Sequence, residues 1–72
     1  MNTGTGASRL IRRTEVQQKT GKSRAGIYEA MRKGEFPSSV AIGPRAKAWI
    51  EAEIDAWVSA RIAASRNSKE AR

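Results

Sequence analysis

Cysteine and histidine are both absent from this 72-residue chain. Without cysteine it has neither disulfides nor thiolate metal sites, and without histidine it lacks the commonest metal ligand and the commonest general base. Seven carboxylates, several hydroxyls and one tyrosine remain for chemistry, and so short a chain can hardly enclose a dry pocket. We therefore expect no metal, no cofactor and no enzymatic activity.

Long apolar runs are missing as well. No segment approaches the roughly 18 residues that indicate a membrane-spanning helix, and no signal-peptide core is present. The length allows one domain. We expect a soluble, cytoplasmic domain with no membrane partner.

Positive charge is what the chain has in excess. Fourteen Lys and Arg residues against seven Asp and Glu give a net charge of +7 and a pI near 10.9, and a domain pI above about 9 is typical of a nucleic-acid-binding protein. Residues 9–49 alone carry a net +7, while residues 50–66 carry −1. The alternatives are a basic surface that serves only solubility and a ribosome-associated fragment. A merely solubilising charge gives no reason for this segregation.

Both ends of the chain are small and polar, so residues 1–8 and 65–72 are predicted to be disordered and residues 9–64 to form the domain. Within it, residues 14–17 (TEVQ) fit a capping box that opens a first helix at Thr14. Gly21 suits the positive φ that ends this helix.

A second helix is predicted to begin at its cap, Ser23, and to run to Lys33. Two helices joined by a turn of about three residues are typical of a helix-turn-helix, although an αα-hairpin has the same local pattern. Arg24, Tyr28 and Arg32 are spaced four apart and form one stripe, which suits phosphate and base-edge contacts. This stripe favours the DNA-binding interpretation over a merely solvated face.

A β-hairpin is predicted next, with strands at residues 40–42 and 47–49 around a turn at residues 43–46. Two strands alone are not stable, so the hairpin must lie against the helices. Its tip displays Arg45, with Lys47 close behind. A basic tip of this kind is typical of the wing of a winged helix-turn-helix; an ordinary surface loop is the alternative.

A third helix is predicted from Glu51 to about Ala64, with acidic residues at its start. Leu10 and Ile11 suffice for a brief extended segment. Ile62 has less to pack on and is either half exposed or a dimer contact. The expected core consists of Val16, Ile27, Met31, Phe36, Val40, Ile42, Trp49, Ile54, Trp57 and Val58.

In this order and spacing, these segments resemble the AlpA-type phage and prophage transcriptional regulators, small relatives of excisionase and MerR-like winged-helix proteins. The matching residues are LIR (10–12), EV (15–16), TGKSR (20–24), IY (27–28), KGEFP (33–37), IGPR (42–45), AW (48–49) and EAEIDAW (51–57). The resemblance covers about residues 9–62. It implies an α+β, mostly helical winged helix-turn-helix, with three helices and a short β-hairpin wing.

The resemblance also implies a sequence-specific DNA-binding regulator of a phage or integrated mobile element, acting at the bacterial nucleoid by controlling integrase expression or excision. The helix at residues 23–33 would enter the major groove, and the turn at residues 43–45 would be the wing. The triplet at residues 24–26 (RAG) stands where members of the family often have a more polar one. Gly26 inside a helix costs about 1 kcal/mol relative to alanine. The expected DNA-binding residues are Arg12, Arg13, Lys22, Ser23, Arg24, Tyr28, Arg32, Lys33, Arg45 and Lys47.

Double-stranded DNA is the expected partner; a second copy on repeated sites and a phage integrase are further candidates. Two other functions remain open. One is an excisionase-like recombination directionality factor that bends DNA. The other is a protein-interaction module, for example an antitoxin, in which Arg24 and Tyr28 would be dispensable and an apolar patch around Ile62 would carry the function.

Overall fold

The computed structural model describes residues 9–70, and three helices and three short strands make up this part of the chain. It is a mostly helical α+β fold, and it confirms the predicted winged helix-turn-helix. The predicted disorder of residues 1–8 concerns residues outside the described range. In chain order the elements are β1 (Leu10–Ile11), α1 (Arg13–Thr20), α2 (Arg24–Arg32), β2 (Val40–Gly43), β3 (Ala46–Ile50) and α3 (Glu51–Glu70).

The helix-turn-helix is formed by α1, a three-residue turn and α2. Gly21 ends α1 in the left-handed conformation, with φ of 76°, and its N–H donates to the carbonyl of Gln17 at 2.8 Å. Ser23 caps α2, since its hydroxyl accepts from the Gly26 N–H at 3.0 Å. The predicted roles of Gly21 and Ser23 are both confirmed. Val16 of α1 and Ile27 of α2 are fully buried in the same core cluster.

The predicted cap at Thr14 is wrong, because α1 begins one residue earlier. Ile11 is paired with β3, and Arg12 is still extended, with φ of −90° and ψ of 170°. The helix starts at Arg13 as soon as the strand pairing ends, so Thr14 already lies inside its first turn. Arg12 is the N-cap residue and makes no side-chain capping hydrogen bond. The N-terminus of α1 therefore has no side-chain cap.

A three-stranded antiparallel sheet in the order β1-β3-β2 forms the wing and its base. The β2–β3 hairpin turns at Pro44 and Arg45, as predicted from the sequence. The predicted extended segment at its other edge is the strand β1, which pairs with β3 through Ile11 opposite Trp49. This pairing was not predicted, and it fixes the start of α1 beside the wing.

Val40 and Ile42 are exposed, to 37% and 44%, so their predicted burial is wrong. Both lie on β2, which pairs with β3 alone and forms the outer strand of the hairpin, with an irregular register between Ala41 and Gly43. Most of the remaining predicted core is confirmed: Val16, Ile27, Phe36, Trp49 and Ile54 are buried, and Met31, Trp57 and Val58 pack against them. Ala30, predicted to lie with Ile27 and Met31 on the buried stripe of α2, is also buried, whereas the prediction omitted Ile11 and Ala48.

Helix α3 packs on the core through its first half, where Ile54 is fully buried. It continues to Glu70, past the predicted end near Ala64 and through residues expected to be disordered. No glycine or proline follows Pro44, so nothing in the sequence breaks the helix. Ile62 is 46% exposed, which agrees with half exposure. None of the described helices has the length and apolarity needed to cross a bilayer.

Candidate nucleic-acid interface

One groove of about 400 Å³ lies where the start of α1, helix α2 and the wing meet. We call it the basic groove. Five of its residues are cationic and no acidic side chain is found among its described lining residues. The basic groove is lined by Arg12, Arg13, Thr14, Arg24, Tyr28, Arg45, Lys47 and Trp49.

Backbone geometry brings the arginines of α1 to the wing. Because β1 pairs with β3, the chain leaves the sheet at Arg12 and enters α1 directly beside the hairpin. The Nε atom of Arg12 donates to the carbonyl of Lys47 at 3.2 Å, which ties the helix start to β3. Arg13 is held from the other side, since its Nε donates to Oε1 of Gln17 at 3.2 Å.

Helix α2 contributes two side chains that lie one turn apart, Arg24 and Tyr28. The guanidinium of Arg24 lies 6.0 Å from the centre of the Tyr28 ring, within the range of a cation–π interaction. Tyr28 in turn makes an edge-to-face contact with Trp49, with ring centres 6.5 Å apart and an interplanar angle of 61°. This contact fixes the distance between α2 and the wing, while Tyr28 itself stays 39% exposed.

Within the described part of the chain, some cations are paired with acidic side chains and others are not. Arg9 and Lys19 both bind Glu51, at 2.8 and 3.2 Å, and Lys19 also binds Asp55 at 2.9 Å. The hydrogen bond from Arg9, followed by that from Lys19, lowers the pKa of the Glu51 carboxyl below its usual value. The pKa of Lys19 is raised by its hydrogen bonds to Asp55 and Glu51. These cations are neutralised locally, on the side of the molecule where α1 meets α3.

The five cations of the basic groove are among the described cations without an ion pair, together with Lys22, Arg61 and Arg66. None of them makes an ion pair with an acidic side chain that the structure describes. The positive charge of the five groove cations is therefore not compensated by an acidic side chain of residues 9–67, and the five line one concave surface. A surface of this kind raises the local concentration of anions.

Six of the ten predicted DNA-binding residues meet in the basic groove: Arg12, Arg13, Arg24, Tyr28, Arg45 and Lys47. The other four lie elsewhere. Ser23 is engaged as the cap of α2. Arg32 and Lys33 pair with Glu29, Lys33 at 3.7 Å. Lys22 lies on another surface, with its Nζ 5.7 Å from the centre of the Trp57 ring.

Two residues of the basic groove were not predicted as part of a site. Thr14 was assigned to a cap, and its true place follows from the β1–β3 pairing, which no local sequence pattern signals. Trp49 was predicted as core, and it is indeed buried, but it also lines the groove. Lys47 and Trp49 are two residues apart on β3 and so lie on the same face of the strand, and both line the groove.

The sequence profile of the family described as "Prophage CP4-57 regulatory protein (AlpA)" matches residues 9–62. The chain is 43% identical over 63 residues to "Uncharacterized protein ORF88" of Enterobacteria phage P4, covering 88% of this chain and 72% of the relative. It is 41% identical over 61 residues to "DNA-binding transcriptional activator AlpA" of Escherichia coli K12, covering 76% and 87% respectively. No solved structure matches significantly. The chain therefore belongs to the AlpA family of prophage regulatory proteins.

Proposed function

We propose that this protein is a sequence-specific DNA-binding regulator of a phage or integrated mobile element, acting in the bacterial cytoplasm. One observation carries the proposal: five cations without an acidic partner in the described chain line a groove formed by α1, α2 and the wing. Phosphate neutralisation by such cations supplies most of the affinity in DNA binding. The name of the Escherichia coli relative, a DNA-binding transcriptional activator, supports the same function.

In this proposal α2 enters the major groove, as the second helix of a helix-turn-helix does, and its N-terminal half contacts base edges. Arg24 and Tyr28 supply these contacts. Arg45 at the wing tip reaches the neighbouring backbone, while Arg12 and Lys47 contact phosphates between the two. Contacts to phosphate position the protein, whereas contacts to bases give the sequence preference.

A salt titration of binding tests the proposal, with promoter and attachment-site DNA of the element beside a scrambled duplex. Counterion release by the five groove cations, Arg24 included, predicts a slope of log affinity against log salt of about −4.5. The double substitution Arg24→Ala and Tyr28→Ala is expected to abolish the preference for one duplex. Arg61→Ala is the matched control, because Arg61 lies over Trp57 and outside the basic groove.

Equal, weak binding to every duplex, or no binding at moderate salt, would refute a specific regulator and favour the protein-interaction module.

Among DNA-level roles, we propose control of transcription at the integrase promoter, which a reporter gene measures. Excision that depends on the protein while the reporter stays constant would assign the recombination directionality role instead.

Several copies are expected to act together. A single DNA-reading module buries only about 600–1,000 Å² of protein surface, which limits the affinity of one copy. We therefore propose that copies bind neighbouring sites, and that binding to repeated sites is steeper with protein concentration than binding to one site. Identical steepness on single and repeated sites would contradict this.

A further inference from the structure

Trp49, which lines the basic groove, carries a buried hydrogen-bond donor without a described acceptor. Trp49 is 1% exposed, and its Nε1 has no hydrogen-bond partner among the residues that the structure describes. The second tryptophan, Trp57, behaves in the usual way, because its Nε1 donates to the carbonyl of Glu35 at 2.9 Å. Buried donors are nearly always paired, since an unpaired one loses its bond to water without a replacement. The Trp49 indole thus indicates an acceptor that arrives with a binding partner.

The N-terminus of α1 reaches the same groove. Arg12, Arg13 and Thr14 are its cap and first two residues, all three line the groove, and no side chain caps the helix. The first N–H groups of a helix have no acceptor within the helix, and together they carry a partial positive charge. Such a terminus is suited to bind a phosphate group. The uncapped helix and the orphaned indole are independent features that converge on one kind of ligand.

We propose that the basic groove seats one phosphodiester of the backbone of duplex DNA, with the indole N–H of Trp49 donating to a non-bridging phosphate oxygen. The uncapped start of α1 and the surrounding arginines hold the same group. This inference rests on the proposed function, and it adds a neutral donor that reads no base. Tyr28 packs edge-on against Trp49 and is 39% exposed; in this proposal its ring leaves that contact when it turns to the base edges.

The two indole N–H signals of the full chain provide the test, because each tryptophan gives one resonance in a ¹H–¹⁵N spectrum. The Trp57→Phe variant assigns them. A short duplex of arbitrary sequence serves as the probe, since phosphate contacts carry no sequence information. Fluorescence polarisation in the same buffer shows when the duplex is bound. We expect the Trp49 signal to move downfield on binding, and the Trp57 signal, whose N–H is already bonded to Glu35, to stay in place.

A second measurement uses Trp49→Phe, which keeps an aromatic ring and removes the donor. We expect its dissociation constant for the duplex to rise about ten- to a hundredfold, as for the loss of one hydrogen bond to a charged group. The salt slope is expected to stay unchanged because the indole is neutral. A melting curve shows whether the variant is folded. If it is not, the spectrum of the unsubstituted chain still decides the question.

The outcomes separate this inference from the proposed function. If polarisation shows binding while the Trp49 signal does not move, the phosphate assignment is wrong and DNA binding stands. If no duplex binds, both are wrong. If inorganic phosphate at matched ionic strength moves the Trp49 signal as far as the duplex does, the site takes a free phosphate, and its assignment to the DNA backbone is overturned.

Discussion

Single substitutions of arginine by glutamine are expected to separate two classes of cation that look alike in the sequence. Arg45 lies at the tip of the wing, in the basic groove, and pairs with no described acidic side chain. Arg32 lies on the same predicted DNA-facing stripe as Arg24 but is paired with Glu29. Arg45→Gln therefore removes a charge that can displace a counterion from DNA, whereas Arg32→Gln removes one that is already compensated.

The expected magnitudes follow from counterion release. Five groove cations predict a slope of about −4.5, and Arg45→Gln is expected to reduce it to about −3.6, because each phosphate contact contributes about −0.9. A fourfold rise in salt then lowers the affinity about 500-fold for the unsubstituted chain and about 150-fold for the variant. Arg32→Gln is expected to keep the slope near −4.5, because the charge of Arg32 is already compensated by Glu29. Lys33, at 3.7 Å, still pairs with Glu29 after the substitution.

Fluorescence polarisation with one labelled duplex over a series of salt concentrations measures these slopes. Circular dichroism melting of each variant serves as the control for folding. The two substitutions remove the same charge from the same kind of exposed side chain. They differ in that Arg32 is paired with Glu29, whereas Arg45 is unpaired and lines the basic groove. An equal reduction of the slope by both would refute the distinction between compensated and uncompensated cations.

Two further predictions concern stability. Ile54→Ala is expected to lower the free energy of unfolding by about 2–5 kcal/mol, because Ile54 is fully buried. Ile62→Ala, on the same helix but 46% exposed, is expected to change the free energy of unfolding by only about 0.5 kcal/mol. Urea unfolding of the two variants measures this difference. Equal losses of stability would show that the second half of α3 is packed. Arg9 and then Lys19 lower the pKa of Glu51, so this carboxylate stabilises the fold above the usual glutamate pKa, and the contribution is lost as pH falls through the lowered value. Melting of Glu51→Gln beside the unsubstituted chain should show a difference that disappears in acid; a constant difference would contradict this origin.

Features that depend on neighbouring residues were predictable from the sequence. Gly21 marks the end of α1 because few other residues adopt positive φ without strain, and Ser23 marks a helix start because its hydroxyl accepts a backbone N–H. The hairpin around Pro44 and Arg45 follows from turn residues between two alternating segments. Each of these signals is local, so the helix-turn-helix and the wing could be derived before any packing was known.

Features that depend on distant residues were not predictable in this way. The two-residue strand β1 carries no periodic pattern, yet its pairing with β3 moves the start of α1 and places Thr14 in the groove. Alternation along β2 distinguishes two faces without telling which is covered, and the outer position of this strand leaves Val40 and Ile42 exposed. Likewise, spacing on α2 put Arg32 with Arg24, while only the structure shows that Glu29 pairs with Arg32.

The geometry of the basic groove depends on the core rather than on loops, because Trp49 belongs to both. Its backbone pairs with Ile11, which positions the start of α1, and its ring contacts Tyr28 of α2. A single residue on β3 thus connects the wing to both helices of the helix-turn-helix, through its backbone on one side and its buried ring on the other. Groups held by packed side chains on regular elements keep a binding geometry better than groups on mobile segments. In a domain this small, a cavity-forming change such as Trp49→Ala is therefore expected to damage stability and DNA binding together, whereas Trp49→Phe can separate them.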